Sequence, residues 1–339
     1  MENQLIQLYV LVCHIYDTQS ETCFQRLSNN SKPLFTDQEL VTIYLFGHLQ
    51  GLFEKKAIHR LIGNYWRHFF PTMPAYQTFV ARLNQLEPTF QTIGGYLQKM
   101  LVQRSEPEID RLIDSLPVMP AKGGHAYSAR VARDAADIGY CASKRIYFHG
   151  VRLHTIAHRR FGRIPLPDQI WLREGSCHDL RSVREQEIYL PHSSLIGDKA
   201  FPDPTFQAML EQQQTTLYAP RKKPKGKELS ETEKYYNRLV SRLRQPIESF
   251  FNWLIAKTEI QRAGRVRSTE GLMVHCFGKL TFAMFLLVFT PDSHSSIRLG
   301  GSVQASGLNF YAASLIKICR MLHLCRASVF FNHTSKNEN

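Results

Sequence analysis

Residues 108–118, EIDRLIDSLPV, decide how this chain is read. Ile109, Leu112 and Ile113 stand around two acids, Asp110 and Asp114, and a proline follows at position 117. Before this stretch apolar residues recur with a helical period; from here the period moves towards two, as in a strand with one buried face. The segment therefore reads as the first strand of a sheet, ending in a loop at its proline. Asp114 is placed at the strand end because a small residue and Pro117 follow within three positions; Asp110 competes for that place.

Upstream, the first ninety residues read as helical. Leu5, Leu8, Val12 and Ile15 repeat at helical spacing. In FTDQELVTIYLFGHLQG, Thr36 and Glu39 make a capping box, Phe35 and Leu40 stand in the staple positions, and Gly51 is a C-terminal stop. KKAIHRLIG and AYQTFVARLNQL follow, with Lys55, Lys56, Arg60, Arg67 and Arg82 among them. Residues 1–100 are thus expected to be a helical domain, with DNA contact and an ordinary helix bundle as equal readings.

Downstream, a loop from Gly123 to Lys144 leads to two strand-like segments, RIYFHGVRLHTIAH and IPLPDQIWLREG. The helix-like SVREQEIYL precedes SSLIGDKAF, a short strand closing in a Gly-Asp turn. Helical PTFQAMLEQQ, strand-like TTLYAP and a basic run lead to a long helix from about Glu231. This order predicts a mixed α/β unit over 105–290, one central sheet flanked by helices.

Composition limits the partners. The 339 residues carry 42 Lys+Arg against 29 Asp+Glu, a net charge of +13. Such an excess points to nucleic acid, whose phosphates Lys and Arg neutralise. A hydrophobic share of 43% excludes disorder as the main state. The longest apolar run, Leu280 to Thr290, is short of the roughly 20 residues a bilayer needs, and MENQLIQLYV has no basic start of a secretory signal. Seven cysteines without a C-x-x-C spacing argue against a disulfide framework and a zinc ribbon. No membrane partner and a cytoplasmic location are expected.

Three acids stand where chemistry would use them: Asp114 and Asp198 at strand ends, and Glu248 on the long helix. Converging carboxylates repel unless hard cations sit among them, and Mg²⁺ takes oxygen ligands. Two such ions suit in-line phosphoryl displacement. Each acid also has an ordinary reading. An Asp after a strand is commonly a turn former, and Pro246 could open a new helix whose N-terminus Glu248 merely serves. Against this, Ser241, Arg244, Glu248 and Asn252 form one polar stripe on a single helical wheel, flanked by Val240, Leu243, Ile247, Phe250, Phe251 and Leu254. Arg244 could orient Glu248 or contact phosphate.

The order IDSLPV, DIGYCASKRIYFHGVRLH, GDKAF, RQPIESFFNWL and QRAGRVRSTEGL resembles bacterial insertion-sequence DDE transposases, most nearly the insertion sequence 982 family. The resemblance runs from about Phe35 to about Phe289. It implies a ribonuclease H-like catalytic domain in which Asp114, Asp198 and Glu248 are catalytic and bind two Mg²⁺ ions, with Mn²⁺ able to substitute. It also implies double-stranded DNA as partner, as terminal inverted repeats and as target, with a homodimer holding two ends, in the bacterial cytoplasm at the nucleoid. Related groups carry Tyr and Lys where this chain has Ser241 and Ile255. Residues 291–339 match nothing in that family and read as an extension ending in a disordered tail.

Three basic sets are candidates for DNA phosphate: Arg130, Arg133, Lys144 and Arg145; Arg221, Lys222, Lys223, Lys225 and Lys227; and Arg262, Arg265 and Arg267, with Arg244 beside them. His178-Asp179 reads first as a helix cap and second as a neighbour of the active edge. His149 and His154 read as packed in a strand, and Cys141 as a buried small hydrophobe. Two other functions fit the same residues: a ribonuclease H-like nuclease that cuts without joining, and a catalytically inactive, element-derived DNA-binding protein.

Overall fold

The computed structural model describes residues 1–19, 33–103, 109–223, 226 and 228–289. Helices α1 (Glu2–Thr18), α2 (Asp37–Leu49), α3 (Lys55–Tyr65), α4 (Tyr76–Asn84) and α5 (Glu87–Gln103) precede β1 (Asp110–Lys122). Then come α6 (His125–Ser128), β2 (Asp137–Cys141), β3 (Ile146–His158), β4 (Leu166–Glu174), α7 (Asp179–Glu185) and β5 (Ser194–Ile196). The described chain closes with α8 (Pro204–Gln212), β6 (Thr216–Tyr218), α9 (Glu231–Thr258) and α10 (Thr269–Phe289). It divides into two compact units: Met1–Leu83 with the end of α10 from Met284, and Asn84–Ala283. The extension 291–339 lies outside the described residues.

In the first unit, local chemistry sets α2. The Thr36 hydroxyl accepts from the Glu39 N–H at 3.2 Å, and the Glu39 carboxylate accepts from the Thr36 N–H in return. Gly51 follows the helix at φ +74°, a left-handed position that glycine takes without steric cost. Phe35 and Leu40 are buried. Asp37, 1% exposed, is held by Arg82 at 3.1 Å and by the Tyr16 hydroxyl at 3.3 Å. Arg82 is therefore part of the packing, and a buried charge needs such a partner.

The second unit is a mixed six-stranded sheet in the order β2-β3-β1-β5-β6, with β4 also on β3. β3 runs antiparallel to β1, β2 and β4, whereas β1, β5 and β6 run parallel. β2 pairs with residues 146–150 of β3 and β4 with 151–158, so the two share its outer edge end to end. This mixed α/β architecture, with helices on the sheet, is consistent with a ribonuclease H-like fold.

Four local expectations need correction. β1 does not stop at Pro117 but runs to Lys122. As far as the bulge after Val118, its odd-numbered positions turn their backbone polar groups away from β3: the Ile109 carbonyl accepts from Ser194 and the Met119 N–H donates to Gln261. The N–H that Pro117 lacks would point the same way, beyond the short β5, so its loss breaks no ladder bond. The expected loop from Gly123 to Lys144 contains α6 and β2. The helix expected at SVREQEIYL begins earlier, at Asp179, and ends at Glu185. Finally, α10 has 21 residues and a mean hydropathy of 1.9 over its most apolar window, long and apolar enough to cross a membrane by length and composition. It reaches that length because a few polar residues interrupt the run without breaking the helix. Of that window 89% is buried inside the protein, as in a core helix.

β1 is the spine of the site. Ile113 packs with Ile156, Val183, Leu195, Phe201 and Phe206 in a core under α7 and α8. The neighbouring Asp114 turns to the other face, where α9 packs across β1 and β5. Gly197, directly after β5, packs against that core. A Cβ there would meet the Phe201 ring at 2.7 Å and Ile113 at 3.1 Å. Gly197→Ala is expected to destabilise the fold by about 1–3 kcal/mol through overpacking, read as a lower urea midpoint with an unchanged slope.

Candidate active site at the β1–α9 junction

Three elements remote in sequence supply the site. β5 pairs with β1 only from Asp110 to Leu112, so β1 beyond that point has no strand on that side from β5. The Ser115 N–H, facing that side, is taken by the carboxylate of Asp114 at 2.8 Å. The other oxygen of Asp114 accepts from Arg244 Nη1 of α9 at 2.7 Å, and Arg244 Nη2 donates to Glu248 one turn later. One guanidinium thus clamps a strand carboxylate to a helix carboxylate, with both Nη groups engaged.

α9 is continuous through Pro246, so the reading in which Glu248 caps a new helix does not hold. Ser230 and Glu233 cap its true start, and Pro246 merely removes the bond to the Arg242 carbonyl inside it. Val240, Ile247, Phe250, Phe251 and Leu254 are buried, which fixes the face on which Arg244 and Glu248 stand. Glu248 is 52% exposed and Asp114 22%.

Burial pushes the Asp114 carboxyl up to about 6. Arg244 and the Ser115 N–H pull the other way, while Asp179 and Asp198 add repulsion. Asp198, half-buried just past β5, is therefore within electrostatic reach of Asp114.

Asp179 belongs to the same neighbourhood. It accepts from the Ser115 hydroxyl at 2.7 Å and lies 3.7 Å from His154 Nδ1. His154 stacks on Trp171 with centroids 5.4 Å apart, and burial pushes it down to about 4, so the imidazole is neutral near pH 7. The cap of α7 is His178 by position, without a side-chain cap bond, so Asp179 is spent on Ser115. Its position after a strand in GSCHD is the sequence signal, shared with many ordinary caps.

Beside Asp179 opens a cleft of about 630 Å³ lined by His178, Arg181, Arg184, Ala200 and Lys222, among others. Arg181 and Arg184 had no sequence signal beyond charge; they line this cleft because α7 starts at Asp179. Arg181 pairs with Glu185 at 2.7 Å, and Arg184 with Asp203.

The other basic candidates lie at the surface. Arg130, Arg133 and Arg145 are exposed, and Lys144 reaches the side chain of Gln261. Arg221 pairs with Glu233 at 3.3 Å and sits over Tyr236; Lys223 pairs with Glu228 at 3.8 Å. Arg262 pairs with Glu259 at 3.7 Å, Arg265 is exposed, and Arg267 donates to backbone carbonyls of Gly264 and Val266. Lys225 and Lys227 lie outside the described residues.

Among the described residues, no three His, Cys, Asp or Glu side chains stand together closely enough to hold one metal ion. The chemistry of the donors nevertheless suits a hard divalent cation: all are carboxylate oxygens, and ionising the half-buried Asp114 calls for positive charge beside it. As placed, Arg244 supplies that charge.

No curated protein and no solved structure matches this chain. A family model does. Residues 168–268, which carry Asp179, Asp198, Arg244 and Glu248 but stop short of Asp114, match the model described as DDE superfamily endonuclease. Over that stretch the chain is similar to a DDE transposase-like family.

Proposed function

We propose that this chain is a DDE-type DNA transposase, of the insertion sequence 982 kind, which cleaves the ends of its element and joins them to target DNA. The observation that carries the reading is the Arg244 clamp between Asp114 and Glu248, in a chain whose 168–268 stretch is similar to endonucleases of the DDE superfamily. Asp114, Asp198 and Glu248 would hold two Mg²⁺ ions, with Asp179 beside them. Bound there, the ions supply charge stabilisation for the phosphoryl oxygens and a reactive nucleophile at neutral pH. The chain's own part is positioning. Arg244 orients the two acids it bridges, and the cleft beside Asp179, lined by Arg181, Arg184 and Lys222, would seat the DNA backbone.

In cleavage, water would attack the phosphorus at the element end as the P–O3′ bond breaks, leaving a 3′-hydroxyl on one side and a 5′-phosphate on the other. In joining, that hydroxyl attacks a target phosphodiester and displaces its 3′ oxygen. The partners are double-stranded DNA and, for two ends at once, a second copy of the chain, in a bacterial cytoplasm.

The test uses the full chain and a duplex carrying the inverted repeats that flank its gene. Nicking is expected with Mg²⁺ or Mn²⁺ and none in chelator, and precut ends should join to a plasmid. Nicking without joining would reduce the activity to a nuclease. DNA binding with no nicking under either cation would leave only a binding protein.

A further inference from the structure

Three exposed tyrosines meet at the far end of the sheet from Asp114. Tyr140 of β2 and Tyr147 of β3 are cross-strand partners, with ring centroids 5.0 Å apart and planes at 52°. Tyr127 of α6 joins Tyr147 at 5.8 Å and 47°. Their exposures are 60% for Tyr127, 45% for Tyr140 and 49% for Tyr147. A cross-strand aromatic pair steadies its hairpin. That does not account for the third ring, which comes from a separate element and stays in water.

The rings are tilted against one another instead of stacked face to face, and all three are exposed, so ring surface stays open to solvent. Beside them, Arg130 follows α6 and Arg145 stands in the β2–β3 turn. Both are exposed, and neither makes an ion pair among the described residues. Aromatic faces beside unneutralised cations are what a strand with unpaired bases needs: the rings stack on bases and the cations track the phosphates. A closed duplex hides its base faces and cannot use them.

We propose that Tyr127, Tyr140 and Tyr147, with Arg130 and Arg145, form a stacking platform for single-stranded DNA. The choice of DNA rests on the transposase reading above; the choice of an unpaired strand rests on the rings. Lys122 lies 122 − 114 = 8 residues beyond Asp114 on the same strand, roughly 26 Å at about 3.3 Å per residue. That is several nucleotides, so a strand opened at the acids can reach the platform.

The experiment measures anisotropy of a labelled single-stranded oligonucleotide, and of its duplex, with the full chain at fixed salt and without divalent cation. Tyr127→Ala and Tyr147→Ala should each weaken single-strand binding roughly tenfold, about the stacking worth of one base. Tyr147→Phe keeps the ring and should bind within about twofold. Duplex affinity and melting temperature of Tyr127→Ala should not move. Unchanged single-strand binding in both alanine variants overturns the platform, as does a phenylalanine variant as damaged as the alanine one. If the surface instead seats a second copy of this chain, the alanine variants lose a dimer in sedimentation and keep their DNA affinity, which also overturns it. Tyrosine-dependent binding in a chain that nicks nothing would sink the transposase reading alone; nicking with tyrosine-independent binding would sink the platform alone.

Discussion

Asp114→Asn is expected to lose cleavage by roughly 10²–10³-fold or more while making the fold more stable at neutral pH. The two effects have one cause. Burial raises this carboxyl from 3.8 to about 6, despite Arg244 and the Ser115 N–H. Below about pH 4 the group is protonated in both the folded and the unfolded chain, and its contribution to stability is fully present. Between about pH 4 and 6 the unfolded chain has released its proton and the folded chain resists doing so. Stability on the order of 3 kcal/mol is lost across that window, at about 1.36 kcal/mol per pH unit. Asparagine never ionises. It still offers Arg244 a carbonyl oxygen, and Arg244 keeps Glu248. The stability gap between variant and parent should therefore open from about pH 4 to 6 and stay level above. Urea unfolding in chelator across that range checks it, beside a cleavage assay in Mg²⁺ at neutral pH. A variant that is inactive and less stable than its parent at pH 7 would mean that Asp114 is a structural residue.

That Asp114 sits on a strand was legible from the change of apolar pattern after Pro107, not from strict alternation: Ile109, Leu112 and Ile113 stand at i, i+3 and i+4, and Leu112 and Ile113 are buried on opposite faces of β1. Its exact surroundings were not. Pro117 reads as a stop only if its missing N–H is needed, and that depends on β5 being three residues long, which no local pattern reveals. Pro246 is the mirror case: it reads as a helix start, yet Val240, Ile247, Phe250 and Leu254 bury one continuous face and hold α9 together across it. The polar stripe of Arg244 and Glu248 could be drawn on a helical wheel because helix geometry is local. Its contact with Asp114 spans 130 residues and is fixed by how α9 crosses the sheet. Asp179 was hardest to weigh, because an Asp opening a helix has an ordinary capping role and only the Ser115 hydroxyl distinguishes this one. The basic runs announced a polyanion but not which cations line the cleft beside Asp179; Arg181 and Arg184 do so through the start of α7.

Arg244→Ala tests whether the clamp or the DNA backbone is the business of that guanidinium. Both Nη groups are engaged by carboxylates, and the side chain is 21% exposed, so little of its donor capacity is turned to a phosphate. Its loss leaves Asp114 half-buried with Asp179, Asp198 and Glu248 near and no counter-charge. The carboxyl then moves further above 6, and the fold becomes less stable at neutral pH, more so as pH rises through that value. Cleavage should fall by about 10²-fold because the two acids lose their relative orientation. DNA affinity should barely change, and the slope of its logarithm against that of salt concentration should stay within about half a unit of the parent's, where a lost phosphate contact would lower it by about one. Arg244→Lys supplies the charge without the fork, and one ammonium cannot hold both carboxylates in the same plane. It should recover most of the stability and little of the cleavage. Restored cleavage with lysine would mean that charge alone suffices at this position. A salt slope reduced by one in Arg244→Ala would move the residue from the acids to the DNA, and the clamp would then be a resting contact that the substrate displaces.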